Sequence, residues 1–178
     1  MDLISTEIDG CYIIKPTKFF DERGWFNRIY CENELNNIYP GIKWVQINHS
    51  FTLKRGTIRG MHYQEYPNQE IKMVKCISGK IFDVIIDLRP NSNSYLKWIS
   101  IELSSLNQQM VLIPKGLAHG FQSLDKNTEI IYFHSEFYSP NNENGVLYND
   151  PCFKIKWPLN PTLISKKDKS YSPLKLNF

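Results

Sequence analysis

Two stretches gather side chains that could move protons or hold ions among residues of strand-forming type. Residues 54–64, KRGTIRGMHYQ, bracket Arg59 with two glycines and set His62 in a Thr-Ile-x-x-Met-His-Tyr strand pattern, and residues 113–122, IPKGLAHGFQ, carry His119. Imidazoles act as acid-base groups near neutral pH or as metal ligands. A metal at His62, Glu70 and His119 would find one imidazole in His62-Tyr63-Gln64 where a His-x-His pair would supply two. That is too few good ligands for a transition metal, and no metal site is expected. Taken singly, either histidine reads as a hydrogen-bonded core residue, Lys72 as an outward strand lysine, Tyr132 as a buried core tyrosine and Asp168 as one charge in a solvated KKDK run.

Strands must position these groups. Runs rich in Val, Ile, Phe and Tyr recur at residues 11–15, 25–30, 43–51, 71–77, 80–88, 95–103, 110–113 and 129–136, with turn residues between them. This spacing predicts an antiparallel sandwich or barrel, best a jelly roll of two packed sheets. Within 80–88, Phe82, Val84, Ile86 and Leu88 fall on one face and Asp83 and Asp87 on the other, the period of a half-buried strand. The Ser78-Gly79-Lys80 turn before it predicts a hairpin over residues 71–88. Helix is scarce: residues 32–39 have a helical composition, ended by Pro40-Gly41. The Pro- and Lys-rich tail from Trp157 reads as a loop wrapping the surface, anchored by Trp157 and Pro158.

Pro114-x-Gly116-x-x-His119 resembles the second half-motif of the cupin superfamily. A longer ordered set, FFDERGWFNRIY (19–30), QIN (46–48), IRGMHYQ (58–64), Lys72, GKIFDVIIDLR (79–89), IPKGLAHGF (113–121), Tyr132, NDPCFKIKWP (149–158) and ISKKD (164–168), resembles the nucleotide-sugar 3,5-epimerases across nearly the whole chain. The resemblance implies an all-β, cupin-type double-stranded β-helix with one or two short helices. It also implies a homodimer whose N-terminal segment crosses to the partner, no metal or organic cofactor, and a nucleoside-diphosphate 4-keto-6-deoxy hexose as substrate. By resemblance His62 is the base, Asp168 its carboxylate partner, Lys72 the cation that stabilises the enolate, and Tyr132 the acid on the opposite face of the sugar. Arg23 and Arg59 correspond to diphosphate-binding arginines, Phe19 and Phe26 to base- and sugar-packing aromatics, and Gln46, Asn48, His119, Tyr138 and Glu143 to other groove residues. One departure is Arg28, where the family's run after DERG ends in Glu; a guanidinium suits the acceptor N3 of cytosine, so a CDP-linked or other non-dTDP sugar is an alternative substrate. Inversion at C3 alone is the alternative outcome and a 3,4-ketoisomerase the alternative reaction.

Composition bounds the rest. The 178 residues, 20.9 kDa, make one domain, residues 1–178, and 24 aromatic residues exclude a disordered chain. Lys and Arg number 21 against 18 Asp and Glu, with no basic block, so a small anion is a better partner than nucleic acid. The start MDLISTEIDG lacks a basic signal-peptide region, and the longest uncharged stretch, residues 103–114, is too short and polar to span a bilayer. A cytoplasmic protein with no membrane partner is expected, its four separated cysteines free and mostly buried.

Overall fold

A computed structural model describes residues 1–37 and 39–174. In chain order the elements are β1 (Asp2–Ser5), β2 (Tyr12–Lys15), β3 (Lys18–Asp21), β4 (Gly24–Asn27), α1 (Glu32–Leu35), β5 (Gln46–Thr52), β6 (Thr57–Gln64), β7 (Lys72–Ser78), β8 (Lys80–Asp87), β9 (Trp98–Ser104), β10 (Met110–Ile113), β11 (Leu117–Ser123), β12 (Thr128–His134), β13 (Glu143–Gly145), β14 (Leu163–Ile164) and α2 (Lys166–Ser170). One sheet runs β1-β2-β10-β7-β12-β5 and the other β13-β6-β11-β8-β9, with β14 added parallel to β6; β3 and β4 form a separate hairpin. The two sheets face each other as a jelly roll, as expected.

Between them lies the main core. Val74, Cys76, Val111, Ile113 and Ile130 from the first sheet meet Ile81, Ile85, Leu103, Leu117 and Phe121 from the second. Each such side chain taken from water contributes about 1.5–3 kcal/mol, which locks the sheets at a fixed separation.

Several expectations are corrected. Residues 71–88 form no hairpin: β7 pairs with β10 and β12, while β8 pairs with β9 and β11 in the opposite sheet. The turn at Gly79 (φ +73°) is a corner between layers, and Thr128 packs so closely there that a Cβ would meet its Oγ1 at 2.7 Å. Strand β8 is not half-buried either. Its Phe82–Val84–Ile86 face is covered by Val146, Phe153 and Trp157 from the chain that follows β13, while Asp83 and Asp87 have no exposure at all. Alternation alone cannot reveal a third layer. The helix ends at Leu35, before Asn36 and Asn37, which favour turns over helix. Of the four thiols, Cys11 and Cys76 are buried, Cys31 is half-buried and Cys152 is exposed.

The tail does wrap the surface, yet it is more than a loop. Trp157 donates its indole N–H to the Tyr148 carbonyl at 2.7 Å and packs edge-on to Phe82. Leu159 is clamped by Gln122, whose amide accepts from its N–H at 3.0 Å and donates to its carbonyl at 2.9 Å. Thr162 then bonds to Arg55 and Gly56, β14 joins β6, and Ser165 caps α2 by accepting from the Asp168 N–H at 2.9 Å.

Candidate active site

At one end of the sandwich a cavity of about 510 Å³ opens between the sheets. Gln46, Asn48 and Ser50 of β5, Lys72 of β7, and Tyr132 and His134 of β12 form one wall; Arg59 and His62 of β6 and His119 of β11 form the other, with Glu143, Tyr138 and Asp168 at the rim. On a regular strand Arg59 and His62, three residues apart, would point to opposite faces. A bulge resolves this. Arg59 pairs with Phe121 and His62 with His119, so Gly60 and Met61 together oppose Gly120 alone. The backbones meet so closely that a Cβ on Gly60 would lie 2.6 Å from the Gly120 Cα. The close approach of Gly60 to Gly120 thus accommodates the bulge that places a guanidinium and an imidazole on one wall.

His62 Nε2 lies 2.9 Å from Asp168 Oδ1. Asp168 Oδ2 accepts from the Gly60 N–H at 3.2 Å. Burial pushes the Asp168 carboxyl up, but the His62, Gly60 and Ser165 contacts outweigh it and hold the group below the usual carboxylate range. An ionised carboxylate only accepts, so Nε2 of His62 carries the proton and Nδ1 is left with a free lone pair. Tyr171 packs edge-on to the imidazole with ring centroids 6.1 Å apart.

On the facing wall Tyr132 shares a 3.0 Å hydrogen bond with Ser50 Oγ. Burial raises its phenol far above the ordinary value, so it stays protonated. Lys72 Nζ is 2.9 Å from Glu70 Oε1, and the two side chains are only 10% and 8% exposed. His119 is bonded to Asp83 at 2.7 Å; burial drives that carboxyl upward despite the imidazole. Arg59 is aimed by bonds from Nε to Thr52 Oγ1 and from Nη2 to the Phe51 carbonyl, which leaves further donors for an anion. The Tyr138 hydroxyl and Lys167 both donate to Glu143, whose acidity they increase against the opposing effect of burial.

The structure therefore brings Gln46, Asn48, Arg59, His62, Lys72, His119, Tyr132, Tyr138, Glu143 and Asp168 together. It does not bring Phe19, Arg23, Phe26 and Arg28 into this cavity. Phe19, Arg23 and Phe26 sit on the β3–β4 hairpin, where Arg23 pairs with Asp21, and Arg28 just beyond it, where it pairs with Glu34 at 2.7 Å. Arg28 thus faces a carboxylate of its own chain, which weakens the argument for a cytosine base. The three side chains weighed as metal ligands serve different partners, with Glu70 bonded to His134 and Lys72, and no cluster of three ligand-type residues is found among the described residues. Sequence reading gave no part in the site to Ser50, Asp83, His134 or Tyr171. Only the alternation Tyr132–His134 on one strand offered a signal for any of them.

A family model described as dTDP-4-dehydrorhamnose 3,5-epimerase matches residues 5–175. The dTDP-4-dehydrorhamnose 3,5-epimerase of Shigella flexneri is 38% identical over 169 residues, 94% of this chain and 93% of that one. The crystal structure of the Bacillus anthracis enzyme of the same name, with TDP and pyrophosphate bound, superposes with a TM-score of 0.94 at 36% identity, covering 97% of this chain and 99% of that one. A Legionella pneumophila epimerase in complex with dTDP-4-keto-L-rhamnose gives 0.91 at 33% identity, covering 97% and 92%.

Proposed function

The chain belongs to the dTDP-4-dehydrorhamnose 3,5-epimerase family, and from that premise we propose that it inverts C3 and C5 of a dTDP-linked 4-keto-6-deoxy hexose with His62 as base and Tyr132 as acid. The observation that carries this is the placement of the His62–Asp168 pair on one wall of the cavity, with Tyr132 and Lys72 on the other.

A proton on carbon beside a ketone becomes removable when its bonding electrons can move onto the carbonyl oxygen. Nδ1 of His62 takes the proton, and Asp168 stabilises the imidazolium that forms. Lys72 presents a positive charge to the developing enolate oxygen. Tyr132 then donates its proton to the same carbon from the other side, and the centre inverts. His62 and Tyr132 afterwards recover their starting states by exchange with solvent. Every group needed is a side chain of the cavity, and the reading takes the reaction as free of cofactor and metal. A ketoisomerase would carry the second proton to oxygen; the named relatives are epimerases and favour inversion. The reading takes the enzyme as cytoplasmic, where free thiols stay reduced.

The β3–β4 hairpin is assigned to the site of a second protomer. It pairs with neither large sheet and leaves Phe19, Phe20, Trp25 and Phe26 46–74% exposed. A lone two-stranded hairpin with four exposed aromatics calls for a partner surface. Within a homodimer it would deliver Phe19, Arg23 and Phe26 to the nucleotide.

Proton exchange tests the chemistry. His62→Asn should stop exchange of the C3 and C5 protons with D₂O, whereas Tyr132→Phe should spare exchange and lose inversion. Wild-type exchange in His62→Asn, or equal loss of both activities in Tyr132→Phe, overturns the assignment.

A further inference from the structure

Along one wall of the cavity runs a chain of hydrogen bonds whose direction is fixed from its first member. The Tyr138 backbone N–H can only donate, and it donates to Gln46 Oε1 at 3.1 Å. Gln46 therefore presents Nε2, which donates to Asn48 Oδ1 at 3.1 Å. Asn48 in turn presents Nδ2, 3.3 Å from His134 Nε2, so that nitrogen accepts and the ring proton sits on Nδ1. Nδ1 donates to Glu70 Oε2 at 2.6 Å, and Glu70 Oε1 meets the Lys72 ammonium at 2.9 Å. The side chains of His134, Glu70 and Lys72 are each about nine-tenths buried. With both ring nitrogens engaged, His134 has no lone pair to offer a substrate.

We propose that Glu70 and His134 are positioning residues for the epimerisation: His134, locked in the Nδ1–H tautomer by Asn48, fixes Glu70, and Glu70 fixes the Lys72 ammonium at the cavity wall. The inference rests on the reading of Lys72 as the enolate-stabilising cation. A lysine on a flexible four-carbon stem stabilises developing charge well only if it is already in place when the charge appears. The same chain ties Gln46 and Asn48, expected on the groove that binds the nucleotide sugar, to the cation at the reacting carbonyl.

The test is a set of double-mutant cycles read as kcat and KM. His134→Leu and Glu70→Gln should each lower kcat by about ten- to a hundredfold and change KM less than about threefold. In a Lys72→Ala background the same substitutions should cost less than about twofold, since their route is already cut. His134→Gln, which can accept from Asn48 through Oε1 and donate to Glu70 through Nε2, should recover most of the rate lost in His134→Leu. Undiminished losses in the Lys72→Ala background, or no recovery by glutamine, overturn the inference. If His134→Leu fails to fold, the Glu70→Gln cycle decides alone. A Lys72→Ala enzyme with wild-type kcat would instead overturn the reading of Lys72 itself.

Discussion

Asp87 illustrates how one residue changes character between a strand pattern and a packed molecule. Its Oδ1 accepts from the Arg89 backbone N–H and Nε, both at 2.9 Å, and its Oδ2 from Arg89 Nη2 at 2.7 Å and the Ser92 and Ser94 hydroxyls at 2.6 Å. Burial opposes ionisation, but these donors win and lower the carboxyl from 3.8 to about 2. A depressed carboxylate gives its full stabilisation above its unfolded value and loses it as pH falls toward the folded one. The difference corresponds to about 2 kcal/mol. Asp87→Asn should accordingly lower stability at pH 7 by about 2 kcal/mol or more, since Arg89 also loses its partner. Denaturant midpoints of the two proteins, at one protein concentration, should converge as pH drops from about 4 to about 2. Parallel midpoints across that range would show that Asp87 does not set the acid limit.

At the scale of elements, the short helix α2 does the most with the least. Five residues cannot hold a helix by themselves. It persists because β14 leads into it beside β6 and because Ser165 Oγ accepts from the Asp168 N–H. That bond fixes the backbone of the residue that orients His62. Ser165→Ala should cost about 1 kcal/mol of stability. Its larger effect should be on kcat, lowered about tenfold as Asp168 loses register with His62, while Ser165→Thr should keep both. A kcat unchanged in Ser165→Ala would show that the tail positions Asp168 without the cap. The bulge in β6 has the same logic, because a backbone irregularity of one residue turns Arg59 and His62 to the same side.

For the whole molecule, assembly turns on where the β3–β4 hairpin goes. Two defective proteins can answer it. His62→Asn lacks the proposed base but keeps an intact hairpin, whereas Arg23→Ala/Phe26→Ala has an intact cavity and a poor hairpin. If hairpins cross between protomers, each mixed dimer holds one site with both defects and one with neither. Co-refolding equal amounts should then restore about a quarter of the wild-type activity. No recovery, with mixed dimers confirmed by native mass spectrometry, would mean that the hairpin serves its own cavity or none.

The amino-acid sequence carries the all-β class, the density of strands, the scarcity of helix and, through the ordered run from FFDERG to ISKKD, the family. These are legible because they depend on composition, period and order along the chain. It also nominated most of the cavity residues, but only as carried by resemblance; singly, Lys72 and Asp168 read as ordinary surface charges. Only the packed molecule shows that β7 and β8 part at Gly79 into opposite sheets and that a third layer covers the outer face of β8, whose inner face already meets the opposite sheet. It alone brought Asp168 across 106 residues to His62, and joined Glu70 to His134 from separate segments. Contacts of that kind depend on which strand lies beside which, and local periodicity carries no record of that.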